Sequence, residues 1–234
     1  MKNNIFLTIV FLFALSFILP QKSHSQIIEV GASADLSYYI GDVNPSRHFA
    51  QSNLNYGAVL RYYDNLRWAF RFQYSNFNLN ASDKVIGFRP ERAMSFESKV
   101  NDFAFLAEFN YFDYWTGSSR NRMTPYMFAG ISVLSYNTLA TEEKNAPEEN
   151  ITKKLNDFSW SVPFGFGFKA SLSKRLGMTA EWRIHKTFTD KIDNIDGKRE
   201  MFGYKCDWFG TFELSLVYRF NLPRKEACYS GANF

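Results

Sequence analysis

Residues 158–172, FSWSVPFGFGFKASL, carry an apolar side chain at every second position: Phe158, Trp160, Val162, Phe164, Phe166, Phe168, Ala170 and Leu172. Ser159, Ser161, Pro163, Gly165, Gly167, Lys169 and Ser171 lie between them. Successive side chains of an extended strand point to opposite faces, so one face of this stretch is an aromatic wall and the other is small and polar. Such a wall must be pressed against a protein core or against lipid.

The pattern recurs along the chain. Ile28 to Ile40 alternate against Glu29, Gly31, Ser33, Asp35 and Ser37, and Leu54, Tyr56, Ala58, Leu60 and Tyr62 against Asn55, Gly57, Val59 and Arg61. Trp68, Phe70, Phe72 and Tyr74 oppose Ala69, Arg71, Gln73 and Ser75, and Phe103 to Tyr111 oppose Ala104, Leu106, Glu108 and Asn110. Met178 to Ile184 oppose Thr179, Glu181, Arg183 and His185, and Phe212 to Phe220 oppose Thr211, Glu213, Ser215, Val217 and Arg219. A further segment, Tyr126 to Tyr136, is extended in character but does not declare which face is which. That makes eight strands.

The connections alternate as well. Residues 64–67 and 173–176 are tight turns and 112–125 is intermediate, whereas 41–53, 76–101, 137–157 and 186–207 read as long polar loops. An even number of strands, with short links at one end and long ones at the other, is the pattern of outer-membrane barrels. The expectation is an all-β, eight-stranded antiparallel transmembrane β-barrel of the outer membrane, with short periplasmic turns and long extracellular loops.

A secreted barrel with its apolar face inward fits the alternation but not the volume. About twenty rings lie on the apolar faces, and an eight-stranded barrel has an interior only wide enough for side chains or one small ligand. Water does not tolerate such a belt on a monomer, and lipid does. The opposite face carries Glu29, Asp35, Glu108, Glu181 and Glu213 with Arg61, Arg71, Lys169, Arg183 and Arg219, an expected lumen network of balanced sign. Tyr62, Trp68 and Tyr218 at one end, and Tyr38, Tyr74 and Trp160 at the other, fall where aromatic girdles sit.

The chain begins Met1-Lys2, runs through apolar residues from Ile5 to Leu19 and reaches Ser23-His24-Ser25, the form of a secretory signal peptide over 1–25. Residues 26–220 are then the barrel and 221–234 a periplasmic tail. The 27 basic residues less Lys2 and Lys22 leave 25 against 23 acidic ones, a balance that implies no nucleic-acid partner. No G-x-S-x-G or H-E-x-x-H motif is present, and Asp190, Asp193 and Asp196 lack calcium-loop spacing, so neither a catalytic residue nor a metal or other cofactor is expected. His185 reads as a structural hydrogen-bonding residue.

Cys206 and Cys228 are the only cysteines. The eighth strand separates them by roughly a bilayer, while a disulfide needs Cα atoms within about 7 Å. Cys228, beside Arg224 and Lys225, therefore reads as a partner-binding thiol that pairs with another protein, with an idle thiol as the alternative.

Four stretches taken together resemble the PorG family, a small outer-membrane barrel of the type IX secretion system in Bacteroidetes. They are YYIGDVNPS (38–46), TPYMFAGI (124–131), VPFGFGFKASLSKRLGMTAEWRIHKTFTD (162–190) and CDWFGTFELSLVYRF (206–220), the last followed by Cys228. The resemblance implies a non-enzymatic component of the secretion and gliding machinery that anchors a periplasmic ring of a PorK-like lipoprotein with PorN. It also makes the lipoprotein the expected partner of Cys228. A lipid-modifying barrel enzyme, a surface adhesin and a narrow pore are the competing functions.

Overall fold

The computed structural model describes residues 27–40, 51–82, 94–118, 120–142, 151–189 and 208–221. Eight strands close into one barrel: β1 (Ile27–Ile40), β2 (Asn53–Tyr63), β3 (Trp68–Ser82), β4 (Met94–Asn110), β5 (Met123–Glu142), β6 (Ile151–Ser171), β7 (Leu176–Thr187) and β8 (Trp208–Asn221). Each pairs antiparallel with its neighbours in sequence, and β1 closes on β8 from Ile27↔Asn221 to Ile40↔Trp208. Closure leaves no strand edge to lipid at that seam, which a membrane requires.

A row of register partners starting at Trp68 passes through Phe109, Met127, Phe166, Trp182, Phe212, Leu36 and Leu54. The β2–β3 register returns it to β3 at residue 78, a stagger of ten residues (78 − 68). Eight strands with that stagger tilt by about 41° and form a cylinder about 8 Å in radius. This is too narrow for an open channel once side chains fill it.

The facing follows the alternation. Phe72, Phe103, Phe158, Phe166 and Phe168 are exposed on the outside, and Glu29, Arg61, Arg71, Glu108, Lys169, Glu181, Arg183 and Glu213 are buried inside. The undeclared segment is β5, with Met127 and Ile131 outward and Tyr126, Phe128, Ser132 and Leu134 inward. Large inward aromatics at 126 and 128 leave both of its faces apolar, which is why its pattern is silent. Tyr38 departs from a girdle residue, because its ring is buried over Gly210 and its hydroxyl accepts a hydrogen bond from Trp182 Nε1 at 2.7 Å.

Two of the expected long loops are largely strand. β3 continues to Ser82 and β4 begins at Met94, so 76–101 is mostly paired; β5 runs to Glu142 and β6 begins at Ile151, so 137–157 is too. The alternation hides these extensions because its phase inverts. Up to Ser75, β3 turns polar residues inward and rings outward; beyond it Phe77, Leu79 and Ala81 are buried while Asn76, Asn78 and Asn80 face out. Strand β4 reverses between Phe103 and Lys99, and β5 between Ile131 and Asn137. Past the membrane the outside is water and the inside a small core, so each strand keeps its geometry and exchanges its solvents.

That core joins Tyr39, Phe77, Leu79, Ala81, Phe96, Val100, Leu134, Tyr136, Ala140 and Phe209, with Leu155 against it. Where β3 outruns its pairing with β2, side chains stand in for the missing strand. Asn55 Oδ1 accepts from Asn78 N at 2.8 Å, Ser37 Oγ and Asn53 Nδ2 each donate to Asn78 O at 2.8 Å, and Gln51 Oε1 accepts from Ser82 N at 2.9 Å. Backbone groups left over by a sheet are met by such partners or by water.

Candidate functional site

Inward positions on seven strands bring the charges into one chain of alternating sign. Arg61 (β2) reaches Glu29 (β1) through Nη1 at 2.9 Å and Glu108 (β4) through Nε at 2.8 Å. Arg71 (β3) joins Glu108 at 2.8 Å to Glu181 (β7) at 2.8 Å. Arg183 (β7) then bonds Glu181 and lies 2.8 Å from Glu213 (β8), and Lys169 (β6) branches onto Glu108 at 2.5 Å and Asn110 Oδ1 at 2.8 Å. Four acids face four bases, all fully buried. Buried charges are tolerated in this form, each with an opposite neighbour and further hydrogen bonds.

Neutral side chains complete the lattice. Gln73 donates through Nε2 to Glu213 at 2.6 Å and accepts from Arg183 Nη2 at 2.8 Å, and the Tyr126 hydroxyl donates to Glu181 at 2.5 Å. Arg71 lies 5.0 Å and Arg183 5.6 Å from the centre of the Phe128 ring, and Lys169 lies 4.4 Å from that of Tyr126. These are cation–π distances in a tightly packed interior. The glycines of FGFGF make room for this: a Cβ on Gly165 would stand 2.1 Å from Trp182 O and 2.8 Å from the Phe128 ring.

Two of the ten expected network members make no ion pair among the described residues. Asp35 (β1) is buried in register with Glu213 and accepts from Ser33 Oγ at 3.1 Å. Arg219 (β8), in register with Glu29, is half-buried and makes no ion pair among the described residues. Asp102, buried on β4 between Ser75 and Leu134, is a lumen charge that the alternation does not reveal. It lies where β4 inverts, and the phase of Phe103 to Tyr111 assigns it no face unless the strand continues past them. Gln73, Tyr126 and Phe128 escape the sequence reading as network members because amides and rings carry no charge signal.

Both mouths are closed. At the short-turn end the segment between β4 and β5 folds under the barrel with Tyr114 and Thr116 buried. The Thr116 hydroxyl donates to Glu29 Oε1, Tyr114 N donates to Leu66 O at 3.1 Å, and Gly117 N donates to Ser171 Oγ at 3.0 Å. Burial pushes the Tyr114 phenol above its ordinary pKa, so it stays neutral there. At the long-loop end the apolar core covers the lattice. His185 lies at that junction, fully buried, stacked 4.2 Å from Phe209 and 5.9 Å edge-on from Phe77, with Nδ1 3.4 Å from Ser161 Oγ. No group of three His, Cys, Asp or Glu side chains among the described residues is placed to hold a metal ion. Cys206, Arg224, Lys225 and Cys228 lie outside the described residues, as do the expected signal peptide and all of the expected periplasmic tail but Asn221, which is the last residue of β8.

Residues 4–229 match the family described as "Domain of unknown function (DUF6089)". The chain belongs to that family. No curated protein matches the sequence. Among solved structures, a major outer membrane protein from Thermus thermophilus is similar, with a TM-score of 0.51 and 13% identity over 84% of this chain and 100% of that one. OprG from Pseudomonas aeruginosa (TM-score 0.46, 11% identity, 86% and 98% covered) and Ail of Yersinia pestis (0.44, 12%, 85% and 100%) are similar too. The fold is that of bacterial outer-membrane eight-stranded barrels, and the DUF6089 chain is a protein of the cell outer membrane. Its aromatic belt faces lipid, its short turns the periplasm and its strand extensions the exterior.

Proposed function

We propose that this DUF6089 protein is a non-enzymatic anchor that ties a periplasmic ring of the PorK–PorN kind to the outer membrane, within the type IX protein secretion and gliding machinery. The observation that carries this reading is the lumen closed at both ends: an ion-pair lattice between the Tyr114–Thr116 plug and the apolar core. Among the described residues, a barrel filled in this way gives solutes no path through the lumen and substrates no cleft within it, which leaves its surfaces as the working parts. His185, sealed between Phe77 and Phe209, favours a structural role over a catalytic one. The particular machinery is taken from the four stretches resembling PorG.

A surface adhesin is the second reading, favoured by the β3–β6 extension that stands outside the membrane. The two part in a cross-linked pull-down from outer membranes. Recovery of a periplasmic ring supports the anchor, and a clean monomer overturns it. On non-reducing gels, a high-mass band lost with Cys228→Ser and kept with Cys206→Ser assigns the partner contact to the tail. A shift within the monomer lost with either variant overturns the assignment. Steady large conductance in planar bilayers would refute the closed lumen on which the reading rests.

A further inference from the structure

The outward face of β3, β4 and β5 changes character within one side chain of the lipid belt. The last lipid-facing residues are Tyr74, Phe103 and Val133; the next outward positions are Asn76, Asn78 and Asn80 on β3, Asn101, Lys99 and Glu97 on β4, and Ser135, Asn137 and Leu139 on β5. They stand two to six residues beyond the belt along strands tilted by about 41°, so the nearest lie about 5–10 Å above the hydrocarbon. That is the depth of the polar headgroup layer, about 5–8 Å thick on each side. On the opposite half of the barrel the outward side chains at this height include Leu54 and Trp208, so the amides form a patch and not a ring.

The amides are already oriented. Asn101 Oδ1 accepts from the Tyr74 hydroxyl and from Asn76 Nδ2, both at 2.9 Å, which turns its own NH2 away from the strand pair. Asn80 Oδ1 accepts from Asn53 Nδ2 at 2.7 Å, leaving the Asn80 NH2 free to donate outward. Lys99 stands in register between Asn78 and Asn137, exposed and without an ion pair among the described residues. Fixed amide donors and acceptors suit the hydroxyls of a sugar, and an unpaired ammonium among them suits a phosphate.

We infer that this face binds the headgroup of a phosphorylated glycolipid of the outer leaflet, with Lys99 on a phosphate and Asn78, Asn101 and Asn137 on the sugar hydroxyls. The site is on the opposite side of the membrane from the proposed ring contact and does not depend on it. Three adjacent strands span about 10 Å across the face, the breadth of two linked sugar rings.

Native mass spectrometry of the full-length protein in detergent tests the assignment, with bisphosphorylated lipid A, the same lipid without phosphates and phosphatidylglycerol as probes. Wild-type protein is expected to hold the bisphosphorylated lipid at least tenfold more tightly than phosphatidylglycerol. Lys99→Glu should lower that affinity tenfold or more, Asn137→Leu should weaken both lipid A forms, and Lys174→Glu in a periplasmic turn should leave them unchanged. Heat-modifiable gel migration verifies that each variant is folded; because Lys99 and Asn137 are exposed, neither is needed for assembly. Equal retention of lipid A and phosphatidylglycerol overturns the proposal, and so does a Lys99→Glu variant that binds like wild type.

Discussion

Replacing Glu108 by Gln removes one negative charge from the middle of the lumen and changes almost no volume. The carboxylate is 2.8 Å from Arg61 Nε, 2.8 Å from Arg71 Nε and 2.5 Å from Lys169 Nζ, all fully buried. Arg61 retains Glu29 and Arg71 retains Glu181, but Lys169 is left with Asn110 Oδ1 and the Tyr126 and Tyr63 rings. The balanced lattice becomes four bases against three acids. Breaking a buried ion pair from one side costs about 3–5 kcal/mol, and since two of the three cations keep a carboxylate the lower figure applies, about 3 kcal/mol. At a urea slope of about 2 kcal/mol/M the unfolding midpoint should fall by about 1.5 M. The assay is a urea titration in lipid vesicles, read by heat-modifiable migration and tryptophan fluorescence. Adding Lys169→Met restores three against three and should recover much of the loss. A Glu108→Gln midpoint within about 0.3 M of wild type, a difference of well under 1 kcal/mol, would refute a dry ion-pair lumen.

Three further outcomes follow from the geometry. Phe166, midway between Trp160 and Leu172 on the lipid face, should lose about 2–4 kcal/mol when changed to Arg, whereas Phe158→Arg at the outer margin should lose about 0–1 kcal/mol; equal vesicle-folding midpoints would mean that the belt is misplaced. Phe77→Ala in the extracellular core should cost about 3–5 kcal/mol and the outward Asn156→Ala about 0.5 kcal/mol or less, and the reverse order in the same titration would undo the inverted phase. Gly117 has φ +89° and a Cβ there would lie 2.1 Å from Lys174 O, so Gly117→Ala should loosen the periplasmic plug by at least about 1 kcal/mol, seen as faster amide exchange at Tyr114 and Thr116.

The strand number, the lipid face and the inward placement of the charged residues can be read from alternation because each depends on one property, the period of two. Who pairs with whom cannot. Arg71 and Glu181 come from β3 and β7, strands that never touch edge to edge, and they meet only because the barrel's radius of about 8 Å lets long side chains cross the lumen. Closure of the periplasmic mouth is equally hidden. Residues 112–125 read as a link of intermediate length, yet the Thr116 hydroxyl finds Glu29 from 87 residues away. Neither residue announces the other in sequence.

The extracellular half of β3 to β6 shows how far alternation alone can carry a reading. Between Trp68 and Tyr74 the apolar residues are the even-numbered ones; between Phe77 and Ala81 they are the odd-numbered ones. Taken as a single solvent problem, that slip ends the strand, and a long loop is the natural consequence. Taken as two, it marks the membrane surface. Inside lipid the outward side chains must be apolar and the lumen can hold charge, and in water the requirements exchange while the backbone ladder runs on from Trp68↔Phe109 to Ser82↔Ser95. The position of the slip is then a depth gauge. It falls at 75 on β3, at 102 on β4 and near 134 on β5, and Ser75↔Asp102↔Leu134 are register partners in one continuous row. With strands tilted by about 41° that row climbs about 3 Å per strand. The three inversions therefore fall within about 6 Å of height, the thickness of a headgroup layer, and they mark the outer surface of the bilayer.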